Sequence, residues 1–275
     1  MPGLTEAFFL PGNPAAGGQR LAIHHVPAQT VKGAVLHVHA FAEEMNKSRR
    51  MVALTSRALA EAGFAVLQLD LFGCGDSSGD LGDAKWADWL DDIVDAAAWL
   101  QARHKAPLWL WGQRAGCLLA AQAAQRIESG CQLLFWQPQT NGNLALQQFL
   151  RLKMAKQMQQ GASKGVTEGL RRDLKQGVSV DVAGYKVCPD LARGFELATL
   201  SAPTATLDGR LVWLEVTTRV PAGLHATSLA VLEEWQSAGF NTAHRAVSGP
   251  PFWQTLEIEE APELVQATVD LLTTP

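Results

Sequence analysis

Short apolar runs that alternate with stretches of helical periodicity constrain this chain more than any other feature. Gly33–Val38, Phe64–Asp70, Leu108–Trp111 and Gln132–Trp136 are almost uninterrupted apolar segments. Such runs are typical of strands buried on both faces. Between them, Asn46–Ala62 places Met51, Leu54, Ala58 and Leu59 on one helical face and stops at Gly63. Trp86–Arg103 is amphipathic, and Ala115–Glu128 is helical up to Gly130. Strand, helix, strand in succession requires parallel strands joined by crossovers, with helices on both faces of one sheet. The expected class is α/β, a mostly parallel doubly wound sheet.

Two short strands, Ala7–Leu10 and Arg20–Val26, precede this pattern and are joined by a Gly/Pro/Asn turn. The alternation breaks after Pro138. Asn143–Met158 reads as a helix with Leu146, Phe149, Leu150, Met154 and Met158 on one face, and Thr167–Lys175 as a second. An irregular stretch through Tyr185 and Pro189 leads to a short helix near Leu191–Leu200. A strand at Arg210–Val216, a helix at Leu229–Ala238, a strand at Asn241–Val247 and a helix at Ala261–Leu272 complete the chain. The expectation is a core of residues 1–139 and 201–275. Residues 140–200 form a helical cap over the C-terminal edge of the sheet, where open parallel sheets bind ligands.

Composition narrows the function classes. No run reaches the roughly 18 apolar residues of a membrane span, and the first residues carry neither the basic patch nor the apolar core of a secretory signal. The four cysteines, Cys74, Cys117, Cys131 and Cys188, show no CxxC or metal-type spacing. That pattern suits free thiols in a reducing cytoplasm and calls for no metal or cofactor. A net charge of -4 gives no case for nucleic acid. The charge is uneven, however: residues 141–176 carry Arg151, Lys153, Lys156, Lys164, Arg171, Arg172 and Lys175 against Glu168 and Asp173. Those basic residues either solvate the outer face of the cap, attract an anionic ligand or touch an anionic membrane surface.

Three motifs stand in order at strand ends. His39-Ala40-Phe41 follows the first central strand. Asp70-Leu71-Phe72-Gly73-Cys74-Gly75-Asp76-Ser77-Ser78-Gly79 follows the second. Gly112-Gln113-Arg114-Ala115-Gly116 joins a strand to a helix. Together they resemble the α/β-hydrolase family, with its His-Gly segment, its Asp-x-x-Gly-x-Gly-x-Ser-x-Gly loop and its Gly-x-Ser-x-Gly nucleophile elbow. The resemblance implies an ester or thioester hydrolase, but Arg114 occupies the serine position. A guanidinium stays protonated and cannot accept an acyl group.

The other triad positions also depart from the family. No histidine lies in Val247–Trp253 after the last strand, and His244 falls inside that strand. The segment after Val216 reads Thr217-Thr218-Arg219, with Glu215 the nearby acid. The whole pattern, including Phe41–Arg50, resembles a narrower group, the exosortase A system-associated hydrolase 2 proteins. That resemblance implies an exosortase, PEP-CTERM-sorting and exopolysaccharide locus, and a possible protein partner encoded there.

The candidate site follows from these positions. Arg114 sits where the next helix presents its positive N-terminus, so it needs a negative partner. That partner is either an internal acid, with Glu43, Glu44 and Glu215 as candidates, or a ligand anion, acyl or otherwise. The resemblance implies an oxyanion hole at the backbone amides of Phe41 and Ala115, which here hold either an anion or a water. His39 is expected to bond loop backbone. Cys117 reads as core, and Cys74 lacks an activating histidine. Trp253, on the loop after the last strand, is a candidate pocket wall. The sequence therefore leaves open a nominal hydrolase, a pseudoenzyme that binds an anionic small molecule or an acyl or sugar intermediate, and a scaffold for another protein.

Overall fold

The computed structural model describes residues 3–12, 16–158, 165–203 and 209–274. Asn13 and Pro14 of the expected first turn, Lys164, and the side chains of Met154, Lys156 and Met158 lie outside that description. The chain opens with an antiparallel hairpin, β1 (Leu4–Pro11) and β2 (Gln19–Val26). The alternating part follows as β3 (Gly33–Val38), α1 (Glu43–Glu61), β4 (Phe64–Leu69), α2 (Trp86–Arg103), β5 (Leu108–Gln113), α3 (Gly116–Ala124) and β6 (Gln132–Trp136). An insertion comes next: α4 (Gly142–Met158), α5 (Val166–Lys175), β7 (Val180–Val182), β8 (Tyr185–Val187) and α6 (Pro189–Leu197). The chain closes with β9 (Arg210–Thr217), α7 (Ala226–Ser237), β10 (Asn241–Ser248) and α8 (Pro262–Thr273).

Among the described residues the main sheet has eight strands in the order β1-β2-β4-β3-β5-β6-β9-β10. The strands from β4 to β10 run parallel, and β1 and β2 are antiparallel. The expected α/β class with a mostly parallel sheet is what the chain forms. Burial explains why. Successive residues of the central strands face opposite sides, so Leu36, Leu110, Leu133 and Phe135 pack with α2 and α3. Val35, Trp109, Trp111, Leu134 and Trp136 pack on the other side with residues of α1 and α8. Two apolar layers on one sheet leave no solvated face, as the unbroken apolar runs require.

Some boundaries differ from the sequence reading. α1 begins at Glu43 rather than Asn46, so Glu43 and Glu44 belong to its first turn. α3 ends at Ala124, short of the expected Glu128. The stretch around Tyr185 contains the small hairpin β7–β8, with Val180 on Val187 and Val182 on Tyr185. Three-residue strands carry too short a period for sequence patterning to register. No helix among the described residues is long and apolar enough to cross a membrane.

Candidate functional site

The elbow between β5 and α3 is built by close backbone approach. A Cβ on Gly112 would stand 2.6 Å from Cys117 Cα, and one on Gly116 would stand 2.3 Å from the Val38 carbonyl oxygen. Only glycine fits either position. Between them Arg114 adopts φ 53, a left-handed conformation that is costly for a side chain of this size. Its N–H donates to the Trp136 carbonyl at 3.0 Å, which ties the bend to β6. Ala42, with φ 52, and Gln137, with φ 44, stand at the ends of neighbouring elements. Three strained non-glycine residues thus lie along one edge of the sheet.

Arg114 points into a cavity of about 850 Å³. Its Nε donates to both Glu44 oxygens at 3.2 Å, and its Nη2 donates to Oε1 at 3.0 Å. Nη1 reaches the Gln137 carbonyl at 3.4 Å. The Trp253 ring lies 5.3 Å from the guanidinium carbon, within cation–π range. The cation next to the start of α3 therefore has an internal carboxylate as counter-charge. Of the three acids considered, Glu44 takes that role. Glu43 accepts instead from the Tyr185 hydroxyl at 2.8 Å. Glu215 accepts from Trp213 Nε1 at 2.8 Å and from the His225 backbone N–H at 3.2 Å.

Arg114, Phe41, Glu43, Glu44, Glu215 and Trp253 all line the cavity. The other two candidates do not. His39 is buried behind it, with Nδ1 bonded to the Ala40 carbonyl at 2.7 Å and Nε2 accepting from the Leu71 N–H at 3.3 Å. Both ring nitrogens are occupied, and burial lowers the imidazole pKa, so the ring is a neutral brace. Ala115 is buried at the elbow outside the cavity lining. The Phe41 and Ala115 backbone N–H groups have no protein partner among the described residues.

The glycine loop after β4 is a clip. Asp70 Oδ2 accepts from Arg49 Nη2 at 2.9 Å and from the Asp76 N–H at 3.2 Å. Ser77 Oγ donates to the Asp70 carbonyl and accepts from the Leu21 N–H. A Cβ on Gly75 would overlap the Asp70 carboxylate, so this glycine is sterically required. Cys74 is buried in the loop, and burial together with Asp70 and Asp92 pushes its thiol far above the range of a reactive cysteine.

Sequence reasoning missed several residues that share the cavity: Gln137, Gln139, Asn141, Gln148 and His225. A signal was available for the first three. Gln137-Pro138-Gln139-Thr140-Asn141 follows the buried strand β6 directly and so falls on the ligand-binding edge of the sheet. The left-handed backbone of Gln137 had no sequence cue, because glutamine is an unusual choice there.

A parallel sheet flanked by helices, a strained strand-to-helix elbow and a cavity at its apex define the α/β-hydrolase fold. The chain belongs to the Hydrolase_4 family, serine aminopeptidase S33, whose family model matches residues 29–173. Comparison with curated protein sequences gives no significant match. Among solved structures the chain is similar to Est1E from Butyrivibrio proteoclasticus, with TM-score 0.65 and 14% identity over 97% of each chain. It is also similar to a thermostable carboxyl esterase from Bacillus coagulans, with TM-score 0.63 and 15% identity over 99% of this chain and 98% of that one. A serine hydrolase without lid from Xanthomonas campestris gives TM-score 0.55 and 15% identity over 100% and 99%. At these identities the likeness concerns the fold.

Proposed function

We propose that this chain is a non-hydrolytic member of its family, a binding protein that keeps the α/β-hydrolase cavity without serine chemistry. The observation that carries this reading is the residue at the elbow apex. Arg114 stands there with its guanidinium held by Glu44. An arginine cannot be acylated, and serine-type hydrolysis needs nucleophile, base and orienting acid in contact. The loop after β10 carries no histidine to act as base. In this reading residues 140–200 are a cap over the cavity, and the wall is formed by Arg114, Glu44, Phe41, Glu43, Glu215 and Trp253. His39 and Ala115 support that wall from behind.

The sequence resemblance to exosortase A system-associated hydrolase 2 supports a role beside PEP-CTERM sorting and exopolysaccharide assembly. A protein of the same locus is then a second candidate partner. A different reading, hydrolysis of an ester or thioester by some other constellation, draws on the family match and on the esterases among the structural neighbours. Turnover of p-nitrophenyl acetate, butyrate and octanoate and of an acyl-CoA thioester separates the two. Rates at the uncatalysed background are expected. Turnover that a single point substitution abolishes would establish the hydrolase reading.

A further inference from the structure

We propose that the cavity holds an anionic amphiphile, a hydrocarbon chain bearing a carboxylate or phosphate, with its head at the start of α7 and its tail against Phe41. This inference rests on the non-hydrolytic reading of the same cavity and adds the ligand's chemical class and orientation. Sheet order separates the two ends. Among the residues that line the cavity, Phe41 follows β3, Arg114 follows β5, the carboxamides Gln137, Gln139 and Asn141 follow β6, and Glu215 and Thr217 belong to the end of β9. β3 and β9 stand three strand spacings apart in that order, roughly 14 Å. The lining at the β3 end is aromatic: Phe41 packs against Phe149 of α4 and Phe195 of α6, with ring centroids 4.8 and 4.7 Å away.

The lining at the β9 end is polar. The Arg219 N–H donates to Thr217 Oγ1 at 3.1 Å, and the His225 N–H donates to Glu215 Oε2 at 3.2 Å. Both bonds hold the β9–α7 loop and the first residues of α7 against the end of the strand. The Ala226 and Thr227 N–H groups that open α7 have no protein partner among the described residues. Such orphan donors at a helix start suit an anion. Ser228, in the same turn, lines the cavity at only 6% exposure, and its hydroxyl has no protein partner among the described residues. A buried hydroxyl of this kind calls for a ligand or a water to bond it. The charges point the same way. Each carboxylate on the cavity wall is engaged: Glu44 by Arg114, Glu43 by Tyr185, and the two Glu215 oxygens by Trp213 and His225. The cations are not. Lys47 reaches only the Gln254 carbonyl at 3.5 Å, and the Arg219 guanidinium has no partner among the described residues. A head at the elbow would have to displace Glu44 from Arg114. A head beside Arg219, Ser228 and the open turn of α7 displaces nothing, and its tail then runs back along the sheet edge to the phenylalanines.

Titration calorimetry with octanoate, octyl phosphate and neutral octyl β-glucoside, each below its micellar concentration, tests this. The tighter of the two anions names the head group and is expected to bind at least about tenfold more tightly than the glucoside, the worth of one charge-assisted hydrogen bond. Shortening its chain by two methylenes is expected to weaken it roughly tenfold. Arg219→Gln and, independently, Ser228→Ala are each expected to weaken it about three- to tenfold. Lys47→Gln is expected to weaken it less than either. Arg219 is exposed, so its variant guards against a folding defect at the buried Ser228. Glucoside binding as tight as that of the better anion overturns the inference. So does binding of neither anion, an affinity indifferent to chain length, anion binding unchanged in both the Arg219 and Ser228 variants, or a larger loss in Lys47→Gln than in both. Ester turnover in the same preparations reports separately on the non-hydrolytic reading, so a failure of either is read without the other.

Discussion

The Arg114 guanidinium grips the Glu44 carboxylate through Nε and Nη2, across 70 positions of sequence and at the apex of the elbow. The pair sets a cation with its counter-charge at that apex. Glu44→Ala leaves the guanidinium unpaired beside the positive end of α3. Chemical denaturation is expected to show a loss of about 1–3 kcal/mol, the range for leaving a buried donor without a partner. Adding Arg114→Met to that variant should restore much of the loss, since apolar replacement of both partners is often near neutral. An Ala variant as stable as the parent would mean that solvent satisfies Arg114.

Placing a serine at position 114 is not expected to create ester hydrolysis. In Arg114→Ser the hydroxyl would lack a base, because His39 has both ring nitrogens bonded to backbone and residues 249–260 contain no histidine. Turnover of p-nitrophenyl esters is expected to stay at the parent level. General-base assistance contributes roughly 10²–10⁴-fold. A gain of that size would mean that an imidazole reaches the apex, with His225 on the cavity wall as the group to substitute next.

The architecture was legible because each central strand is apolar on both faces and each crossover helix has its own period. The glycines of the elbow and of the β4–α2 loop were equally legible, since Gly75, Gly112 and Gly116 mark contacts that no Cβ can enter. The choice among Glu43, Glu44 and Glu215 was not legible. It depends on α1 starting at Glu43 and on Glu215 sharing a strand face with Trp213 two residues away. The carboxamide row was missed because glutamine and asparagine after a strand read first as loop. What sets them apart is the strained backbone at Gln137.

The Arg20–Asp92 pair fastens the β1–β2 hairpin to α2. Arg20 Nε donates to both Asp92 oxygens at 2.8 Å, and the Phe72 N–H adds a third bond at 2.9 Å. Both side chains are almost fully buried. Arg20→Ala strands a buried carboxylate and is expected to cost about 3–5 kcal/mol. The double change Arg20→Met with Asp92→Leu should cost less. Equal losses in denaturant titrations would mean that packing, not charge, sets the effect.

Acid should unfold the chain through its buried imidazoles. Burial pushes His37 down to about 3, with His39 adding to it, and pushes His24 down to about 4, with His104 adding to it. Each is neutral when folded and binds a proton when unfolded, near 6.5. Stability is therefore full above pH 6.5 and is lost as the pH falls from 6.5 toward the folded values. The slope approaches about 1.4 kcal/mol per pH unit for each such imidazole. Denaturant titrations between pH 7 and 4.5 should show it, and His37→Gln should flatten it by about one imidazole. An unchanged slope in that variant would mean that His37 is protonated in the folded chain.

Intact-mass spectrometry after incubation with a fluorophosphonate tests the absence of an activated nucleophile most directly. An unmodified native mass is expected at probe concentrations and times that fully label a serine esterase run in parallel. Stoichiometric addition of one phosphonyl group, mapped to a single side chain lining the cavity and lost on prior denaturation, would contradict it.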